Sequence, residues 1–276
     1  GGVEGAAQRL VEMRWRLVRR GLVLYVLGEF LDVIWRGTII TYYGAMFAIA
    51  ALLFTLSSRA IVALGAVSAL AGWAINAWSV QRRIDGESVT WLTNPDPDSV
   101  RRYVLDLFVN GTHPLLPWLA FLCAGIVVGR GLESPHVRRR CAGIGLALFG
   151  VSLIVEPLGD STLQRALLSD DPVERGIVYV ASALGTALLA FALISEVVDR
   201  VEARRPGTTD PLRTAGQMTL TLYLLHIVVF NLLVDWLGWI EPDGLALSLV
   251  FSLVFWVTEI VGAVEWESRF GSGPAE

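Results

Sequence analysis

The apolar residues of this chain are gathered into long blocks. Eight of them stand out, at about 21 to 35, 38 to 57, 60 to 79, 114 to 129, 141 to 158, 176 to 197, 216 to 236 and 244 to 264. Most approach the roughly 20 residues that a helix rising about 1.5 Å per residue needs to cross a hydrocarbon layer about 30 Å thick. The pattern predicts an all-α, polytopic transmembrane helix bundle with about eight membrane helices. Little chain is left for anything else, which argues against a soluble fold, a nucleic-acid binder or a disordered scaffold.

Composition agrees. Of the 276 residues, 54% are hydrophobic and only 17% are charged, where about 25% charged is usual. All 22 basic residues are arginine and lysine is absent, a bias that points to a GC-rich bacterial, actinobacterial-type source. The polar stretches set the layout: a basic cytoplasmic segment at 1–20, the bundle at 21–264 with external loops near 80–113 and 159–175, and a cytoplasmic C-terminal segment at 265–276. With the N-terminus inside, 15 arginines fall on cytoplasmic segments and 7 on external ones. The positive-inside rule then places both ends in the cytoplasm of a bacterial plasma membrane. The chain opens on Gly1-Gly2 without a methionine and stops at Gly273-Pro274-Ala275-Glu276. The expectation is a piece of a longer protein, with one or two helices preceding it.

Two cysteines, Cys123 and Cys141, fall near opposite ends of neighbouring helices and are expected to stay unpaired. No zinc motif is present and no metal is expected. Trp35, Trp78, Trp118, Trp236, Trp239 and Trp266 stand at block ends, where an interfacial aromatic belt would place them. Gly125 and Gly129 form a G-x-x-x-G pair that allows close helix approach, within the protein or in a homodimer. Within the first external stretch, Asn94-Pro95-Asp96-Pro97-Asp98 is rich in turn residues. Tyr103 to Phe108 after it reads as an interfacial helix that lids a cavity or as an ordinary loop.

Ionisable groups at membrane depth are costly and mark a cavity or a partner. Glu29 and Asp32 share one face of the first block, three residues apart, placed to orient a substrate amine or an essential histidine, or to pair with Arg36. His226, in Tyr223-Leu224-Leu225-His226, falls near the bilayer midplane, as interhelical glue or as part of a pathway. His113, in Asn110-Gly111-Thr112-His113-Pro114, stands at the external mouth of the fourth block. With an ordinary pKa near 6.5 it is either a general base for an arriving hydroxyl or amine, or a capping histidine. His136, in an Arg-rich loop, reads as solvated. On the inner side, Arg138, Arg139, Arg140, Arg204 and Arg205 offer guanidinium clusters suited to the phosphates of a coenzyme A-like donor. Topology alone also demands basic inner loops.

Several strings taken together carry a resemblance: Thr41-Tyr42-Tyr43-Gly44-Ala45-Met46-Phe47, Gly111-Thr112-His113-Pro114-Leu115-Leu116-Pro117-Trp118-Leu119-Ala120, Gly125 with Gly129-Arg130, Ala215-Gly216-Gln217-Met218-Thr219-Leu220-Thr221-Leu222-Tyr223, and Gly273-Pro274-Ala275-Glu276. In order and spacing they resemble the YeiB-like bacterial membrane proteins, similar in turn to the heparan-alpha-glucosaminide N-acetyltransferase group of transmembrane acyltransferases. The resemblance spans about 41 to 276. Two positions depart from the family pattern: an aromatic residue often stands at the place of His113 and a basic one at that of Gln217. The superfamily's Asp-x-x-Arg-Gly helix and key histidine would fall before Gly1. The resemblance implies acyl transfer from acetyl-CoA or another acyl-CoA to an envelope glycan or lipid acceptor. A transporter or flippase, or a non-catalytic subunit of an envelope-assembly complex, stands as the alternative.

Overall fold

The computed structural model describes residues 2–94, 96, 99–241 and 243–276, and among them every regular element is helical. In chain order these are α1 (Gly2–Asp32), α2 (Ile40–Leu53), α3 (Ser58–Ile84), α4 (Thr90–Thr93), α5 (Val100–Leu105), α6 (Leu115–Gly129), α7 (Pro135–Val155), α8 (Thr162–Leu168), α9 (Ile177–Arg204), α10 (Asp210–Gln217), α11 (Thr219–Phe230) and α12 (Gly244–Phe270). α5 runs on into a π-helical turn, Asp106–Asn110, and α11 into another, Asn231–Trp236. Hydrocarbon offers no partner to an unpaired backbone group, so blocks this apolar satisfy their N–H and C=O groups internally. Pro95, Pro97 and Asp98 of the turn-rich segment lie outside the described residues.

Five helical segments are long and apolar enough to cross a membrane: Ser58–Ile84, Pro135–Leu158, Ile177–Arg204, Thr219–Trp236 and Gly244–Phe270. A sixth arises if Val100–Asn110 and Leu115–Gly129, which meet at 52°, count as one span. The protein is a polytopic helical membrane protein, with fewer full spans among its described residues than the eight blocks predict. The reasons are local. The block at 38–57 yields only the 14 residues of α2, about 21 Å of helix. The chain turns after Leu53, and the Arg130 guanidinium holds that turn by donating to Phe54 O (2.9 Å), Leu56 O (2.6 Å) and Ser58 Oγ (2.8 Å). The block at 21–35 is the second half of α1, whose first half carries Arg9, Arg14, Arg16, Arg19 and Arg20. Outward-facing Val67, Leu146, Leu193 and Leu253 are exposed, as side chains solvated by lipid are.

The chain divides into two compact units, Gly1–Leu193 and Ile194–Glu276. In the first, α1 and α2 approach backbone to backbone: a Cβ on Gly44 would lie 2.5 Å from Tyr25 N and 2.6 Å from Gly21 O. α7 and α9 do the same, a Cβ on Gly185 falling 2.7 Å from Phe149 N. Among the described residues nothing lies within 4 Å of a Cβ at Gly125 or Gly129, so the close approach expected there is not made within the chain. α3 packs on α6, with Ala69, Ala120 and Val180 buried together and Ser68 Oγ donating to Leu115 O at 3.3 Å. Cys123 and Cys141 are buried and unpaired.

In the second unit α10 packs on α12, burying Ala215, Met218, Leu222 and Ala263. The helix breaks at Met218 (φ −111°, ψ 29°), which leaves the first amides of α11 without internal acceptors. The chain folds back to supply one: the Glu276 carboxylate accepts from Leu220 N (2.8 Å), Thr221 N (3.2 Å) and the Thr221 hydroxyl (2.5 Å).

Candidate functional site

The site is built at the end of the first unit where the chain passes from the π-helical turn after α5 into α6. Pro114 caps α6 in an extended conformation and is fully buried, as are Leu115 and Pro117. Proline suits this position because it has no amide to leave unsatisfied. His113, one residue earlier, is therefore carried by a fixed helix start.

Contacts from remote segments orient it. The Thr112 amide donates to Tyr42 Oη at 3.1 Å, and the Tyr42 ring meets the imidazole edge-on at 5.9 Å. Trp118 meets the same imidazole at 5.7 Å, the planes 83° apart. Thr112 Oγ1 donates to Gly37 O at 3.3 Å, and Gly37 N in turn donates to Asp32 Oδ1 at 2.7 Å. Gly37 has φ +80°, a conformation that glycine adopts without strain. Glu29 hydrogen-bonds the Thr41 side chain, next to Tyr42. The two carboxylates thus brace the loop and helix that hold His113. Both are exposed and neither lines the cavity.

Arg175 closes the site from the other side. It has a positive φ of 54°, a conformation costing an L-residue roughly 1–2 kcal/mol. Its guanidinium donates to Val109 O (2.7 Å), Asn110 O (3.3 Å) and Gly111 O (2.6 Å). These are carbonyls that a helix end leaves unpaired, and a cation is favoured there, so the clamp offsets the strain. The strand of chain that delivers Arg175 is tied to α3, with Trp73 Nε1 donating to Leu167 O (3.2 Å) and Asn76 Nδ2 to Glu174 O (2.7 Å).

Between these groups lies a cavity of about 450 Å³ walled by His113, Thr112, Trp118, Tyr179, Val173 and Arg175, within the size range of small-ligand sites. His113 Nδ1 is buried without a hydrogen-bond partner, which leaves Nε2 as the nitrogen that a ligand can reach. An imidazolium would need an acceptor at both nitrogens. Burial, and then the Arg175 cation beside it, hold the His113 pKa below the ordinary histidine value. The ring is neutral at pH 7, with a lone pair available as a base. Burial also lowers Arg175 from its usual value. Trp118, which the sequence puts at a block end, is a wall of this cavity.

The other residues singled out by sequence fall elsewhere. His226 belongs to the second unit, its ring 4.9 Å from Tyr223 and 6.4 Å from Phe255. Arg138, Arg139 and Arg140 occupy the start of α7 in the first unit; in the second, Arg204 is the last residue of α9 and Arg205 follows it. His136 is exposed. Sequence reasoning missed Arg175, whose partners are remote in the chain. It also missed Glu259, which is buried and is the only charged residue between Gly244 and Val264; the rule that flagged His226 would have found it. Two pairs of the strings that carry the resemblance meet: Tyr42 with Gly111–Trp118, and Thr221 with Glu276.

A model of the family described as protein of unknown function, DUF418, matches residues 125–276. The match takes in Arg175, Tyr179 and Glu259 and stops short of His113. No curated protein and no solved structure matches the chain.

Proposed function

The chain belongs to the DUF418 family, and on that premise we propose that this polytopic membrane protein is an acyltransferase, passing an acyl group from a cytoplasmic thioester donor to an envelope glycan or lipid. The observation that carries this reading is the neutral His113 imidazole in a walled cavity beside the fixed Arg175 cation. Nε2 takes the proton of the acceptor hydroxyl or amine as its oxygen or nitrogen bonds to the thioester carbonyl carbon. The C–S bond then breaks and the carrier leaves as its thiol on reprotonation. The field of Arg175 favours the negative charge that builds on the carbonyl oxygen. Trp118 and Tyr179 offer aromatic faces to a sugar ring or lipid headgroup.

The donor is acetyl-CoA or another acyl-CoA bound from the cytoplasm, its phosphates held by Arg138, Arg139 and Arg140 or by Arg204 and Arg205. Four of these, all but Arg138, are exposed. This assignment places the protein in the plasma membrane with both termini cytoplasmic.

The test is reconstitution with labelled acetyl-CoA and a panel of envelope acceptors. Label is expected to move to the acceptor with release of CoA. His113→Ala should slow transfer about 100-fold or more, the usual weight of a general base, while the thermal midpoint holds. Absence of both CoA release and product across the panel overturns the reading. Solute uptake into proteoliposomes without covalent product would put a transporter in its place. Normal function of His113→Ala and His226→Ala in a stable complex with a second membrane protein would leave a structural subunit.

A further inference from the structure

Glu259 stands in the middle of a membrane-spanning helix, and its surroundings can be read from the register of α11 and α12. Phe230 meets Phe251 at 6.1 Å and His226 meets Phe255 at 6.4 Å, so the two helices run antiparallel and one turn along the first answers one turn along the second. The next turn brings Leu222 level with Glu259. The turn after that on α12 is Ala263, buried with Leu222, Met218 and Ala215. The carboxyl group is thus enclosed between a layer of rings, Tyr223, His226 and Phe255, and a layer of aliphatic side chains.

Glu259 is 5% exposed, and its Oε1 is buried without a hydrogen-bond partner. The titratable groups facing this level from α11 are His226 and Tyr223. From α10, Arg213 pairs with Asp210 at an exposed turn, and Glu267 accepts from Thr214 two turns further along α12. Glu276 is engaged at the start of α11. No cation among the described residues pairs with Glu259. A bare carboxylate in such a place is costly by several kcal/mol, a cost that a proton on the group removes.

We propose that Glu259 is a proton-binding site of the membrane interior, a neutral carboxylic acid that exchanges its proton with His226 one turn away. In the exchange the Glu259 O–H bond breaks and an imidazole N–H forms, giving a carboxylate and an imidazolium that stabilise each other; the reverse step restores both. Intramembrane carboxyl and imidazole groups in series are the material of proton relays.

The experiment uses the full chain in lipid nanodiscs and dicyclohexylcarbodiimide, an apolar reagent that reacts with protonated carboxyl groups. The acid proton passes to a carbodiimide nitrogen, the carboxyl oxygen bonds to the central carbon, and acyl migration leaves a stable N-acylurea. Peptide mass spectrometry should find the adduct on Glu259 at neutral pH and none on the exposed Glu265. Labelling should fall about tenfold per pH unit above its midpoint, as for a one-proton titration, and His226→Phe should raise that midpoint. Infrared spectra should show an acid carbonyl band that Glu259→Gln removes without lowering the thermal midpoint. A carboxylate band for Glu259 at neutral pH, labelling indifferent to pH, or marked destabilisation by Glu259→Gln overturns the site. An unmoved midpoint in His226→Phe overturns the pairing.

Discussion

His113 binds its proton less readily in the folded chain than in an unfolded one, because burial and Arg175 both oppose the imidazolium. As pH falls through the unfolded value, near 6.5, the unfolded state takes up a proton that the native site resists. Stability therefore drops with acidification from about pH 6.5 and levels off below the folded pKa. His113→Phe keeps a ring against Tyr42 and Trp118 and removes the proton, so the difference in thermal midpoint between the two proteins should change with pH in that window; a constant difference would contradict the assignment. Sequence alone marked His113 as a polar residue at a helix mouth. It did not mark Arg175, because the clamp on residues 109–111 exists only once two distant segments meet. The sequence offers Glu29 and Asp32 as carboxylates that orient a substrate amine or a histidine or that pair with Arg36, and in the structure they stand one contact behind His113.

At the scale of elements, helix contact follows from which glycines face backbone. Gly44→Leu would drive a side chain into Tyr25 N and Gly21 O, separating α2 from α1 and carrying Tyr42 away from His113. Overpacking of this kind costs about 1–3 kcal/mol, so thermal denaturation in detergent should show a lower midpoint, with reduced transfer activity. Gly125→Leu meets open space and should leave both unchanged; the opposite ranking of the two variants would refute the packing. The G-x-x-x-G spacing was visible in the sequence. Which of the chain's small residues abut a neighbour was not, since spacing says nothing of what lies across from it. α2 likewise looked like a span and stops short, because Arg130, far along the chain, stabilises the turn after it.

For the whole molecule, arginine distribution predicts an orientation that can be checked from outside. Cys123 and Cys141 are buried, so single reporter cysteines at the exposed positions Asp160, His136 and Thr208 stand out above a silent background. In right-side-out vesicles an impermeant maleimide should label Asp160→Cys and spare His136→Cys and Thr208→Cys; the reverse pattern would invert the topology and move the His113 cavity to the cytoplasmic side. The sequence by itself determined that the chain is helical and lives in a membrane, because block length against bilayer thickness is a local, additive property that needs no partner. Only the tertiary structure decided which blocks reach full span, which carboxylates brace a loop, and that His113, Trp118, Tyr179 and Arg175 share one cavity. Those outcomes depend on close approach between residues far apart in the chain, where a hydrogen bond or a missing Cβ at one position sets the surroundings of another.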